Sequence, residues 1–440
     1  MPTNYRTYQP EQSYLLPPSL SDWLPENHLA YFISEVVSVL DLSGFYARHE
    51  ESDPRGNQPF DPAMMLKVLL YAYATGTFSS RKIAKKLEED VAFRVLAAGN
   101  FPEHRTICDF RKDNLEEFIT LFKQVVQIAQ SSGMVKLGRI AIDGTKVKAN
   151  ASRHKAMSYD RMKMVEERLE KEIADLLKEA ERTDQAEDQE HGPENRGDEL
   201  PEELRRRESR LKKIREAKKR LEERQAEEDR AKGRHEGDGG RPNGKKGKPF
   251  KKEFGEPPEK AQDNFTDPES RIMKMGNGFE QSYNAQAAVD ETKQIIVAVS
   301  VTNCAADNAQ LIPMIEATKQ TTGELPQQVL ADAGYRSEAN FERAEAMKVD
   351  AVISLGREGK SDASEIASTN VATLRMKDKL TTPEGKAAYR RRKVIVEPAF
   401  GWVKRVIGFR QFSLRGLANV TAEWNLVCLA TNLRRMSAWA

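Results

Sequence analysis

The sequence is poor in cysteine, in long apolar runs and in net charge. Three cysteines occur in 440 residues, at 108, 304 and 428. They are isolated and odd in number, which excludes a disulfide framework and closely spaced zinc ligands and suits a reducing cytoplasm. No apolar run approaches the roughly 18 to 20 residues that cross a bilayer. The opening "MPTNYRTYQP" lacks the apolar core of a signal peptide. A cytoplasmic chain with no membrane segment is expected. Net charge is only +2 although 31% of residues are charged, so the mean conceals separate acidic and basic blocks. The length suggests two or three domains.

One further scarcity is local. From Thr381 to Gly416 there are nine lysines and arginines but only two acids, Glu384 and Glu397. Glu397 sits in "KVIVEPAFGWVKR", between Lys393 and the pair Lys404–Arg405. It reads either as half of a surface ion pair with Lys393 or as a catalytic carboxylate among phosphate-binding cations. Pro398 disfavours helical geometry at the residue before it, which predicts a helix start or a kink at Glu397. In a continuous helix Lys393, Glu397 and Lys404 would share a face.

Periodicity divides the chain into five stretches. Residues 1–137 carry helix-spaced apolar residues in "HLAYFISEVVSVL" and "DPAMMLKVLLYAYATG", with Gly76 as a stop. The short basic helices that follow, with Arg105, Arg111 and Lys112 near the start of the third, fit a helix-turn-helix-like DNA reader and equally a small bundle. Residues 138–154 change to a strand through Ile140 and Ile142, whose apolar part ends at Asp143-Gly144. In 155–232, Met162, Val165, Leu169, Ile173 and Leu176 recur at helical spacing, as do Leu204, Leu211, Ile214 and Leu221. An antiparallel helical hairpin with an acidic tip at 181–203 follows from that spacing. Residues 233–262, rich in Gly, Pro and Lys, read as a mobile basic linker. In 263–440 two strands flank a polar turn at 290–293, a helix opens with Asp307 near its cap, and a strand runs into Asp332-Ala-Gly334. A further strand and C-terminal helices complete a mixed sheet covered by helices, an α/β arrangement.

Three carboxylates stand out by position. Asp143 and Asp332 both sit at the carboxyl end of an apolar strand beside a small residue, where α/β sheets place ligands. Each alone also reads as a turn residue. Together with Glu397 they could not all remain ionised without a cation. Magnesium suits such a set, and two ions could activate an attacking oxygen and stabilise a leaving one. Lys146 and Lys148 follow Asp143 and read as phosphate ligands or as a solvated strand end. His154 reads as a surface residue or a ligand, and Trp402 as core or a stacking platform.

The stretches "AIDGTKVKANASRHKAMSYDRM", "YNAQAAVD", "VLADAGYRSEANFE" and "YRRRKVIVEPAFGWVKR" together resemble the DDE transposases of bacterial insertion sequences. Within these the chain is similar to the insertion sequence eleven-eighty-two group, whose third motif is a Tyr-Arg-Glu-Lys signature. The resemblance implies a ribonuclease-H-like core in which Asp143, Asp332 and Glu397 bind two Mg²⁺ or Mn²⁺ ions. It implies cleavage at the ends of a mobile element and attack of the freed 3′-hydroxyl on target DNA. It further implies inverted-repeat and target DNA as partners, a homodimer that pairs two ends, and a cytoplasmic, nucleoid-bound location. Counted back from Glu397, the signature's tyrosine and arginine positions hold Arg390 and Lys393, with Tyr389 displaced by one, while Lys404 fits. Lys146, Lys148, Arg390, Lys393, Lys404, Arg105 and Arg111 are the expected DNA contacts. A sequence-specific DNA-binding protein without catalysis is the alternative, and a coiled-coil structural protein is a third reading.

Overall fold

The computed structural model describes residues 19–50, 58–191, 202–236, 252–276, 278–356 and 370–439. The chain opens with helices α1 (Leu29–Val39), α2 (Ser43–Glu50), α3 (Pro62–Ala74), α4 (Ser80–Glu89), α5 (Val91–Leu96), α6 (His104–Asp113) and α7 (Leu115–Ser131). Asp61 caps α3 by accepting the Met64 amide, and Pro62 supplies a preset first turn. Gly76 ends that region at φ 79°, and a Cβ there would lie 2.4 Å from the Ile407 carbonyl oxygen. Glycine is therefore required both by the backbone angle and by the C-terminal segment pressed against it.

Strand β1 (Arg139–Lys148) follows, then the short β2 (Ala156–Ser158), helices α8 (Tyr159–His191) and α9 (Glu202–Ala231), and β3 (Gln262–Asn264). Helices α8 and α9 form an arm with its own small core, in which Met162, Val165 and Leu169 meet Leu211, Ile214 and Leu221. Of the acidic tip expected at 181–203, residues 192–201 lie outside the described ones. At the root, β2 and β3 pair antiparallel, Ala156 opposite Asn264 and Ser158 opposite Gln262. Asp263, with a fully buried side chain, accepts from Arg220 at 2.7 Å and Arg224 at 3.1 Å. The expected linker is structured where it is described. Arg234 is buried, and donates to Asp229 at 2.9 Å and to the Lys252 carbonyl at 2.8 Å. Residues 237–251 lie outside the described residues.

The remainder comprises β4 (Arg271–Met275), β5 (Gly278–Asp290), β6 (Ile296–Thr302), α10 (Leu311–Thr322), β7 (Gln328–Ala331), α11 (Glu338–Ala346), β8 (Asp350–Ile353), α12 (Val371–Thr381), α13 (Pro383–Gly401) and α14 (Leu417–Ser437). The sheet is mixed. β1 runs antiparallel to β5 and parallel to β7, β7 runs parallel to β8, and β4 and β6 both pair with β5 antiparallel. Helix α14 is buried along most of its length, with Trp424 donating to the Gln286 carbonyl at 2.9 Å. One continuous hydrophobic core joins the N-terminal helices to the sheet. No helix among the described residues is long and apolar enough to cross a membrane.

Pro398 does not start a helix. α13 begins at Pro383, capped by Thr382, and carries Pro398 in its interior. The carbonyl that Pro398 leaves without an amide partner is that of Val394, and Gln294 donates its side-chain Nε2 there at 2.8 Å. A borrowed side-chain donor thus keeps the helix whole. It then passes into a π-helical turn at Trp402–Val406.

Candidate active site

The site begins with strand register. β1 and β7 are parallel, with Ile140 opposite Val329 and Ala141 opposite Leu330. Two residues further along each strand, Asp143 and Asp332 stand abreast where β7 ends and the chain turns away. Asp143 is not at a strand end, as expected from Gly144, but in the middle of β1, because β5 continues to pair with β1 as far as Lys148. The aspartates have separate local supports. The Gly144 amide donates to Asp143 at 2.8 Å and the Gly334 amide to Asp332 at 2.8 Å. Gly144 has no room for a side chain, since a Cβ would lie 2.3 Å from Gln286 Nε2 and 2.7 Å from Asp307 Oδ1.

Two residues that the sequence reading overlooked complete the centre. Arg392 of α13 is 6% exposed and donates to Asp143 Oδ2 at 3.3 Å, while its Nε is buried without a partner. Arg392 and Tyr389 thus take the inward-facing places that counting back from Glu397 assigns to Lys393 and Arg390, both exposed. Asp307, expected near a helix cap, makes no side-chain cap bond. Its Oδ1 accepts from Asn284 at 2.6 Å, Gln286 at 2.8 Å and Lys146 at 3.4 Å. Its Oδ2 lies 3.4 Å from where a Gly334 Cβ would stand, beside Asp332 Oδ1. Behind them Tyr335 donates to Gln286. Burial, together with Asp307, Asp143 and Asp332, pushes the Tyr335 hydroxyl well up, so it remains a donor.

The electrostatics call for a cation. Burial and then Asp332 raise the Asp143 carboxyl to about 6, against an ordinary 3.8, with Arg392 pulling the other way. A raised carboxyl contributes stability that is fully present below pH 3.8 and is lost as pH rises through about 6. Without divalent ions, Asp143→Asn should therefore be more stable than the native chain at pH 7.5 by on the order of 2 kcal/mol. The gap should close towards pH 4.5. Urea unfolding of both proteins across that range measures it, and a gap that ignores pH would contradict the assignment.

The other expected residues fall out as follows. Glu397 is exposed on α13, between two anchors of that helix on β1: Arg392 on Asp143, and Lys404, whose Nζ donates to the Lys146 carbonyl at 3.1 Å. Burial, with Arg410 and Lys146 nearby, pushes the Lys404 ammonium down. Lys148 pairs with Glu280 at 3.0 Å, and Arg105 is exposed. Arg111 is not a surface contact. It is 5% exposed and donates to the Tyr73 hydroxyl at 3.0 Å and the Phe78 carbonyl at 2.9 Å. Basic character on a short helix cannot distinguish a solvated guanidinium from a buried one.

Among the described residues, no three His, Cys, Asp or Glu side chains stand as a ready metal-ligating group. What is present is a half-buried pair of aspartates, a third behind it, and a guanidinium occupying the place of a counter-ion. That donor set, all carboxylate oxygen, fits Mg²⁺ or Mn²⁺ rather than a softer metal.

Residues 246–433 match the family model of a transposase DDE domain, and residues 18–113 match that of a transposase domain (DUF772). The first match contains Asp332 and Glu397; Asp143 precedes it, on the far side of the α8–α9 arm. No curated protein and no solved structure matches the chain.

Proposed function

We propose that this chain is a DDE transposase, a metal-dependent enzyme of DNA cleavage and strand transfer, that moves an insertion sequence by cutting its inverted-repeat ends and joining them to target DNA; the match to a transposase DDE domain over residues 246–433 supports the reading. The observation that carries the reading is the register that sets Asp143 beside Asp332 at the fork of β1 and β7. Strand order β6–β5–β1–β7–β8, with the first three antiparallel and the last two parallel to β1, supports a ribonuclease-H-like core.

In this reading Asp143, Asp332 and Glu397 hold two Mg²⁺ or Mn²⁺ ions. When bound, the ions supply a nucleophile and stabilise the leaving oxygen of an in-line displacement. Through such ions Asp143 and Asp332 would position the reacting phosphate from the sheet and Glu397 from the helix, so positioning would be shared by two packed layers. Arg392, which donates to Asp143 here, would stand beside the bound DNA and could meet its phosphate. Lys146 and Lys404, tied together on β1 and the π turn, flank the cut, while Lys148, Arg390, Lys393 and Arg105 track the backbone further out. Two subunits pair the two ends in the cytoplasm, on nucleoid DNA.

The test is direct. Purified protein is incubated with DNA carrying the inverted repeats that bracket its coding region, with Mg²⁺, Mn²⁺ or a chelator. Ends bearing 3′-hydroxyls, and their joining to a target plasmid, are expected only with metal. Sequence-specific binding without any cleavage in either metal would reject the catalytic reading.

A further inference from the structure

Away from the aspartates, an open cleft of about 700 Å³ separates the N-terminal helices from the segment that follows β1. Helix α4 meets it end-on through Ser79, Ser80, Arg81 and Lys82. Helix α6 meets it side-on through His104, Cys108 and Arg111, at three- and four-residue spacing. The opposite wall is Asn150 and the strand-like segment Gln411–Ser413, which pairs with the end of the strand that carries Asp143. None of the lining residues is acidic.

Four features mark this cleft as short of an acceptor. Ser79 stands at the cap of α4 in extended geometry but makes no side-chain cap bond, so the first-turn amides of α4 meet no acceptor from it. The Ser80 hydroxyl is buried without a hydrogen-bond partner. Arg111 is 5% exposed, and its Nε also lacks a partner. Arg81 and Lys82 form no ion pair among the described residues, whereas Lys85 and Lys86 on the same helix pair with Glu89 and Asp90. Orphaned buried donors in a folded protein require an explanation, and those at the first turn of α4, the positive end of that helix, share one, an oxyanion.

We propose that this cleft is a phosphate subsite for the backbone of bound DNA, with the Ser80 hydroxyl, the first-turn amides of α4 and Arg81 as its donors. The inference rests on the transposase reading above and deepens it, by naming where the N-terminal helices hold the polymer. The far wall leads through Asn150 back to Asp143, seven residues earlier in the chain. Phosphates seated here would belong to the molecule whose backbone is cut at the aspartates. The contacts are to backbone, so they position the DNA without reading its sequence.

The test uses the full-length protein in chelator, so that binding is read without cleavage. Affinities for end DNA and for a scrambled duplex of equal length are measured at several salt concentrations. Arg81→Ala should weaken both by about tenfold and lower the slope of log K against log salt by about 1. Ser80→Ala should weaken both by a few-fold while its melting temperature is unchanged or higher, since an unpaired buried hydroxyl has been removed. A merely structural serine would not lose DNA affinity while keeping its stability. Wild-type affinity and slope in both variants would overturn the proposal. So would protection from melting by inorganic phosphate that Ser80→Ala abolishes while DNA binding stays intact, because the cleft would then serve a free anion. Absence of metal-dependent cleavage would instead reject the transposition mechanism and leave these binding results standing.

Discussion

Replacing Asp143 or Asp332 by asparagine should lower metal-dependent cleavage by about three orders of magnitude or more while leaving DNA binding within a few-fold of native. The two residues stand abreast across a parallel register, so on the proposed reading either loss would leave the other carboxylate without its partner at the ion. The double variant should be scarcely worse than either single one, as expected of groups that act together. Stability serves as the control. Asp143→Asn removes a carboxylate that is costly to ionise in its half-buried setting, so the inactive protein should melt no lower than native at neutral pH. Glu397→Gln belongs in the same series. Its carboxylate is exposed, so an equal loss of cleavage could not be blamed on a damaged fold. Full activity in that variant would remove Glu397 from the site, and Asp307→Asn would then show whether the third aspartate serves in its place.

The largest effect on stability should come from Glu423→Ala. Glu423 is 1% exposed on α14, and its carboxylate accepts from the amides of Ser413 at 2.9 Å and Leu414 at 3.0 Å. Tyr73 of α3 donates to it at 3.4 Å, and Arg111 of α6 donates to Tyr73. Burial beside Glu423 keeps the Tyr73 hydroxyl protonated. Alanine at 423 strands the amides of Ser413 and Leu414 and the Tyr73 hydroxyl, and leaves the buried Arg111 charge without its nearby carboxylate. Breaking one partner of such a buried network costs about 3–5 kcal/mol, and the cavity adds to it. Equilibrium unfolding in urea measures the loss, which should be far smaller for Glu423→Gln, where acceptor oxygen and volume survive. A loss below about 1 kcal/mol for alanine would mean that the chain from Arg111 to α14 does not join the N-terminal helices to the sheet as described.

Much of this was legible from local pattern. Alternating Ile140 and Ile142 before Asp-Gly, and the apolar pair Val329–Leu330 before Asp332, mark strands that carry their acids forward, and only pairing was needed to bring the acids abreast. Most of the helix-spaced apolar residues of the arm meet across it. Where the reading went astray, the deciding atom came from far away in sequence. Pro398 looks like a helix start because nothing local replaces its missing amide, and Gln294 replaces it from a hundred residues upstream. Asp307 does stand at a cap position, but its oxygen is claimed by Asn284 and Gln286 of β5 rather than by the helix. Counting from Glu397 points to Lys393, whereas the packing of α13 on β1 turns Arg392 inward.

The clasp at the root of the α8–α9 arm bears on how quickly this chain can fold. Ile140 must find Asp290, a search across a loop long enough to slow most sheets. Once Ala156 meets Asn264 and Asp263 is gripped by Arg220 and Arg224, the arm is short-circuited. Only about twenty residues of open chain, 149–155 and 265–277, then separate the two strands, and the remaining closure entropy falls accordingly. An arm that folds on its own, early and locally, would act as an internal template for the catalytic sheet, and loosening its clasp should appear first as a slower refolding rate.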